Sequence, residues 1–176
     1  MPGYGVMGGI QHYPTGGGWG SQLKDDYRRY FGATVGFAGR GEMVPSEDCY
    51  CEIDPDVVDR WGIPVLRFHW KWSDHEIQQA KHMQETFRSI VEAMGGQVFA
   101  SMPTREERYG LMNGGSIIHE LGCVRMGDDP SRSVLDANCR AHEVPNLFVA
   151  DGGPFVSQPD KNPTWTILAL SMRTSE

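Results

Sequence analysis

Two segments of this chain carry side chains in patterns that could do chemistry. The first is His119-Glu120-Leu121-Gly122-Cys123-Val124-Arg125-Met126-Gly127, an imidazole set among small residues and glycines. A histidine titrates near neutral pH and can take a proton from a reacting hydroxyl. The same pattern also suits a core histidine hydrogen-bonded to backbone, so both roles are open at His119. The second segment is Asn162-Pro163-Thr164. Asn is a favoured N-cap and Pro a favoured first helical residue, so a helix is expected to start here. Its free N–H groups and the positive end of its dipole would face whatever lies in front. Just upstream, Leu147–Ala150 reads as a short buried strand, followed by the turn Asp151-Gly152-Gly153. Glycine lets a ligand or another backbone approach such a turn closely. Strand, turn, loop and capped helix together describe a backbone shaped around an anionic or electron-rich ligand.

The elements that must hold these segments are legible upstream. From Val65 to Trp72 the residues alternate, with Leu66, Phe68, Trp70 and Trp72 on one face and Val65, Arg67, His69 and Lys71 on the other. This predicts a strand with an apolar face for packing and a polar face. The polar face can be solvated or can line a pocket. Cys49–Ile53 alternates weakly, and Asp54-Pro55-Asp56 and Gly62-Ile63-Pro64 signal turns. Ser73-Asp74-His75-Glu76 is a capping box. It opens a helix to about Met94, with Ile77, Ala80, Phe87, Ile90, Val91 and Met94 recurring at helical spacing. Gly95-Gly96 ends it, and a strand over Gln97–Ala100 should follow. A polar helix over Asp25–Phe31 precedes all of this, and residues 102–113 read as loop. Ile117 and Ile118 place His119 at the end of a strand or on the turn beyond it. The fold class expected is α+β, an antiparallel or mixed sheet with helices packed on one face.

Composition narrows the function classes. A chain of 176 residues, 39% hydrophobic, is long enough for a sizeable core. Its formal charge of −7 argues against nucleic acid and gives no reason for an anionic membrane surface. No apolar run is long enough to span a membrane. The glycine-rich start, MPGYGVMGGIQHYPTGGG, lacks a charged leader and a long apolar core, so no signal peptide is expected. This leaves cytoplasm and periplasm both open. The four cysteines, Cys49, Cys51, Cys123 and Cys139, have no metal-ligand spacing and read as free thiols, and no metal site is expected. Gly3-Tyr4-Gly5-Val6-Met7-Gly8 fits G-x-G-x-x-G formally, but no strand precedes it and no helical pattern follows, so it is not a dinucleotide fingerprint.

Five blocks in order, His119-x-x-Gly122, Arg125-Met126-Gly127, Val134-Leu135-Asp136, Asn146–Gly152 and Asn162-Pro163-Thr164, resemble the C-terminal end of the glucose–methanol–choline (GMC) flavin oxidoreductases. Upstream, the run from Asp54 through WGIPVLRFHWKWSDHE to Gly96 resembles the substrate domain of one branch of that family. That branch contains gluconate 2-dehydrogenase large subunits and glucoside 3-dehydrogenases. The resemblance implies a substrate-binding domain over residues 1–113, with its sheet and the helix at 74–94. Residues 114–176 would form a C-terminal segment whose last strand and helix belong to the FAD-binding domain. His119 matches the family's catalytic histidine, which takes the hydroxyl proton while the adjacent hydride moves to flavin N5. Asn162 matches the second catalytic position, which orients the substrate oxygen. Asp151 and Gly152 match the turn beside the FAD pyrophosphate and ribityl chain. Pro163 and Thr164, with Asn162, match the helix start beneath the flavin.

The implied activity is FAD-dependent oxidation of a CH–OH group in a sugar or polyol. His12, Arg67, His69 and Trp70 are candidate substrate contacts, because aromatic faces stack on sugar C–H groups and polar groups meet hydroxyls. The family's N-terminal FAD-binding strand, glycine turn and helix have no counterpart in this sequence. The FAD site is therefore expected to be incomplete in this chain and to need an N-terminal FAD-binding half as partner. Some relatives also pass electrons to a partner subunit or cytochrome. The alternative is a non-catalytic sugar-binding or assembly piece that has lost the cofactor half. A Cys/His hydrolase using His119 with Cys123 has no supporting oxyanion or nucleophile-elbow pattern.

Overall fold

The computed structural model describes residues 19–99, 101–116, 119–158 and 160–176. His12, the Gly3–Gly8 run and the Ile117-Ile118 pair lie outside them. The elements are α1 (Gly20–Tyr30), β1 (Tyr50–Val58), β2 (Pro64–His69), α2 (Asp74–Ala93), one 3-10 turn (Arg108–Gly110) and α3 (Thr164–Ser175). The fold is α+β, with one two-stranded antiparallel sheet among the described residues. Two compact units are present. One holds Gly41–Glu76 and Asn113–Glu176; the other holds Ile77–Met112 and the described part of residues 2–40. The polypeptide thus changes unit near residues 41, 77 and 113, and β1 and β2 group with the C-terminal segment.

In the first unit, β1 and β2 pair Tyr50 with His69, Cys51 with Phe68, Glu52 with Arg67 and Ile53 with Leu66. The register then shifts before Val58 meets Pro64. Asp54-Pro55-Asp56, expected to be a turn between elements, is instead this irregularity inside β1. The Asp54 carboxylate accepts from the N–H groups of Asp56 and Val57 at 2.9 and 3.0 Å. That satisfies donors the interrupted ladder leaves over. The strand at Val65–Trp72 ends early, at His69. Trp70 and Trp72 therefore leave the alternation and meet edge to face, 4.3 Å between centroids. Trp72 is buried, whereas Leu66 and Phe68 remain more than half exposed. The apolar side of the ribbon is covered by no third strand among the described residues.

The core of this unit lies in the C-terminal segment, where Leu135, Cys139, Ala141, Pro154 and Phe155 are buried. It is held by single bridges rather than by long strands: Met126 with Leu135, Leu135 with Ala141, and Arg140 with Phe148. The strand expected at Leu147–Ala150 is reduced to that last bridge. Four residues bounded by turns bury too little to support a ladder. Asp136 orders the turn before them, accepting from Asn138 N at 2.8 Å and Arg140 N at 3.1 Å while pairing with the Arg140 side chain.

The capping box forms as expected. Ser73 N donates to Glu76 Oε2 at 2.8 Å, and His75 N donates to Ser73 Oγ at 3.2 Å. Glu76 is fully buried and also accepts from Val44 N at 3.1 Å. The helix it opens, α2, ends in a Schellman arrangement: Gly96 N bonds Val91 O, Gly95 N bonds Glu92 O, and Gly95 has φ +72°. In the second unit Phe37 stacks on Phe87 of α2, and Gln84 donates to the Tyr109 carbonyl at 3.2 Å. No strand forms at 97–99, which continues as loop.

Candidate active site

The segment after His119 is fastened to the glycine turn by three backbone bonds. Gly122 N donates to Gly152 O, Val124 N to Gly153 O and Met126 N to Pro154 O, at 3.0, 3.2 and 2.9 Å. The approach is close, chiefly to neighbouring side chains. A Cβ on Gly152 would lie 2.4 Å from Leu121 Cδ2, 3.4 Å from Glu120 O and 3.6 Å from Ile167 Cδ1. A Cβ on Gly153 would lie 2.6 Å from Val124 Cγ2. The closeness anticipated at this turn is therefore taken up by the chain itself. Gly152 is where the His119 segment, the turn and the first turns of α3 converge. Asp151 stabilises the turn by accepting from Gly153 N at 2.7 Å.

His119 is half-buried, and its Nδ1 is shut off from solvent with no hydrogen-bond partner among the described residues. Burying a polar nitrogen without a partner costs about 1–3 kcal/mol, so such a group calls for a water, a ligand or a catalytic role.

The helix start falls one residue later than expected. α3 begins at Thr164, and Pro163 is its N-cap with near-helical dihedrals, φ −84° and ψ −13°. Ile167 N already bonds Pro163 O at 2.9 Å. The N–H groups of residues 164–166 precede that first bond and have no acceptor within the helix. Pro163 is buried, while Asn162, Thr164 and Trp165 are exposed. Further along, α3 is anchored by Ser171 Oγ donating to Ala150 O at 2.9 Å and by Arg173 donating to Ala137 O.

Of the candidate substrate residues, Arg67, His69 and Trp70 sit on or beside the ribbon. Arg67 pairs with Asp54 at 2.8 Å, and His69 Nε2 lies 2.8 Å from Glu52 Oε1 while its ring stacks on Tyr50. Asp54 is held below the usual carboxylate range, first by the Asp56 N–H, with Val57 N–H and Arg67 outweighing the opposing effect of burial. Trp70 lies under Gly114, whose Cβ would come 2.9 Å from the indole ring. The chain leading into His119 thus crosses the Trp70 face. A groove of about 260 Å³ elsewhere in this unit is lined by Arg125, Met126, Asp129, Arg132 and Ser133, and neither His119 nor Asn162 borders it.

Two features went unread in the sequence. His142 Nε2 lies 3.1 Å from both Ser133 Oγ and Gly127 O, bracing the loop after Arg125-Met126-Gly127. The Cys123 thiol is pushed above its usual range, first by lost hydration and then by its neighbours Cys51, Asp151 and Glu120. A nucleophilic cysteine needs the opposite shift, so the hydrolase idea loses its nucleophile. All four cysteines are unbridged.

Comparison with known proteins decides the family. Residues 45–171 match the GMC oxidoreductase family. The chain belongs to it. Among its GMC relatives is a 2-methyl-1,2-propanediol dehydrogenase of Mycolicibacterium austroafricanum, 30% identical over 90% of this chain and 27% of that protein. A gluconate 2-dehydrogenase flavoprotein of Pantoea cypripedii is 27% identical over 87% of the chain and 25% of its own length. A C-glycoside 3-oxidase of Arthrobacter globiformis is 36% identical over 68% of the chain and 22% of its own length. The chain spans about a quarter of these relatives. GMC proteins are oxidoreductases and generally flavoproteins. No helix among the described residues is long and apolar enough to cross a membrane.

Proposed function

We propose that this chain is the catalytic C-terminal part of an FAD-dependent dehydrogenase acting on the CH–OH group of a sugar or polyol. The observation that carries the reading is the convergence at Gly152. It joins the segment bearing His119, with its buried and unpartnered Nδ1, to the start of α3 with its unpaired N–H groups. The residues present suit a flavin: Asp151 and Gly152 at the turn, and Asn162, Pro163 and Thr164 at the helix start. When bound, the flavin supplies the acceptor for the hydride that leaves the substrate carbon.

The chain's own residues do the rest. His119 takes the hydroxyl proton as the C–H bond breaks, a role worth about 10²–10⁴ in rate. Asn162 hydrogen-bonds the same oxygen and fixes its orientation. The amino end of α3 places a positive potential where electron density gathers during the reaction. Arg67 and His69 are each more than a third exposed, so their contacts with Asp54 and Glu52 leave polar atoms for substrate hydroxyls. Trp70 offers a ring face for sugar C–H groups, and His12 belongs to the same proposed set.

An N-terminal FAD-binding half completes the cofactor site, and an electron-accepting subunit or cytochrome takes the electrons onward. The test is turnover of a panel of sugars and polyols with an artificial electron acceptor, using this chain joined to an FAD-binding segment. Turnover per bound flavin that falls in Asn162→Ala is the expected result. A flavin-loaded protein that oxidises no member of the panel would refute the proposal.

A further inference from the structure

We propose that Asn113 is a self-modifying site. Its side-chain amide is lost through a succinimide, leaving aspartate or isoaspartate where the chain crosses Trp70 on its way to His119. Asparagine is among the thermally labile residues. The slow step is attack by the backbone nitrogen of the following residue on the asparagine Cγ. That nitrogen must be unhindered, outside any hydrogen bond and able to turn.

The chain has four asparagines, and the fold sorts them by what that nitrogen does. After Asn138, the Cys139 N–H donates to Asp136 O at 3.1 Å, and Cys139 is fully buried. After Asn146, the Leu147 N–H donates to Val144 O at 2.9 Å. Asn162 precedes Pro163, which has no N–H to lose. After Asn113 comes Gly114, with no side chain beside its nitrogen, and that N–H has no acceptor among the described residues. Residues 113–116 are all exposed. Glycine's range of φ and ψ lets this segment reach the ring-closing geometry, and Gly115 already stands at φ +74°.

The reaction balances with water alone. The Gly114 nitrogen loses its proton and bonds to Asn113 Cγ, the Cγ–Nδ2 bond breaks, and ammonia leaves. Water then opens the imide. Cleavage of the new N–Cγ bond gives aspartate, and cleavage at the main-chain carbonyl gives isoaspartate. Either product adds a negative charge. Only isoaspartate adds a carbon to the backbone, and it does so beside Gly114, where a Cβ would come 2.9 Å from the Trp70 ring. It also turns the Asn113 carbonyl, which accepts from Ser116 N at 3.2 Å, into a carboxylate outside the main chain. The turn over Trp70 cannot keep its present path.

The full chain is incubated at mildly alkaline pH for as long as a synthetic peptide of residues 110–116 takes to convert by half, and its peptides are mapped by mass spectrometry. The expected product carries aspartate and isoaspartate at position 113, with Asn138, Asn146 and Asn162 intact. Conversion should quicken with rising pH and vanish in Asn113→Gln. The aged chain should unfold at a lower temperature than Asn113→Asp, which has the charge without the added carbon. Asn113 left intact while the peptide converts, or conversion that begins at another asparagine, would overturn the proposal. Identical unfolding of the aged chain and Asn113→Asp would overturn the consequence drawn at Trp70. No readout uses FAD or turnover, so this site and the enzymatic reading fail separately.

Discussion

At Gly122 two constraints meet in one residue. Its φ of +84° lies in the left-handed region, and a Cβ there would stand 3.0 Å from the Phe155 carbonyl oxygen. Gly122→Ala should therefore lower stability by at least the ~1–2 kcal/mol that an L-residue loses in that conformation, measured by chemical denaturation. The equivalent change at Gly152 meets mainly the tip of the Leu121 side chain, which can turn away, and should cost less. The sequence placed Gly152 in a tight turn, but did not show what approaches either glycine, because Leu121 and Phe155 are brought in by tertiary contact. The same limit applied to Arg67 and His69. Alternation put them on one polar face, but only the β1–β2 register supplies Asp54 and Glu52 as their partners.

At the scale of elements, local signals with a chemical mechanism survived best. The Ser73–Glu76 box and the Gly95-Gly96 stop bound α2 to within a residue of expectation. Apolar runs read without partners fared worse. Leu147–Ala150 has the composition of a strand but only one bridge, and the Val65–Trp72 alternation outlasts the ladder that would use it. The box also yields a pH prediction. Burial pushes the Glu76 carboxyl up, but the bonds from Ser73 Oγ, Val44 N and Ser73 N outweigh it, leaving the folded value below normal. A carboxyl depressed on folding contributes stability above its unfolded pKa, about 4.3, and loses it as pH falls through the folded value. Glu76→Gln should cost about 1–3 kcal/mol at pH 7 and much less at acid pH. Parallel unfolding curves at all pH values would show that Glu76 does not act this way.

The molecule as a whole presents surfaces that the described residues leave uncovered. On α3, Trp165, Leu168 and Met172 recur at helical spacing and are 84%, 51% and 67% exposed. On the ribbon, Ile53, Leu66 and Phe68 share one exposed face. The chain spans about a quarter of its relatives, and the proposed function has other polypeptide complete the cofactor site. The chain alone should then bind FAD weakly. In a flavin fluorescence titration, stoichiometric tight binding by these 176 residues would contradict that. The central claim concerns His119, and its most direct test is the rate at which substrate reduces the flavin in the complete protein. His119→Ala should slow reduction by about 10²–10⁴ while the oxidised flavin spectrum and the unfolding curve stay as in the parent. Reduction at the parental rate in that variant would remove His119 as the base.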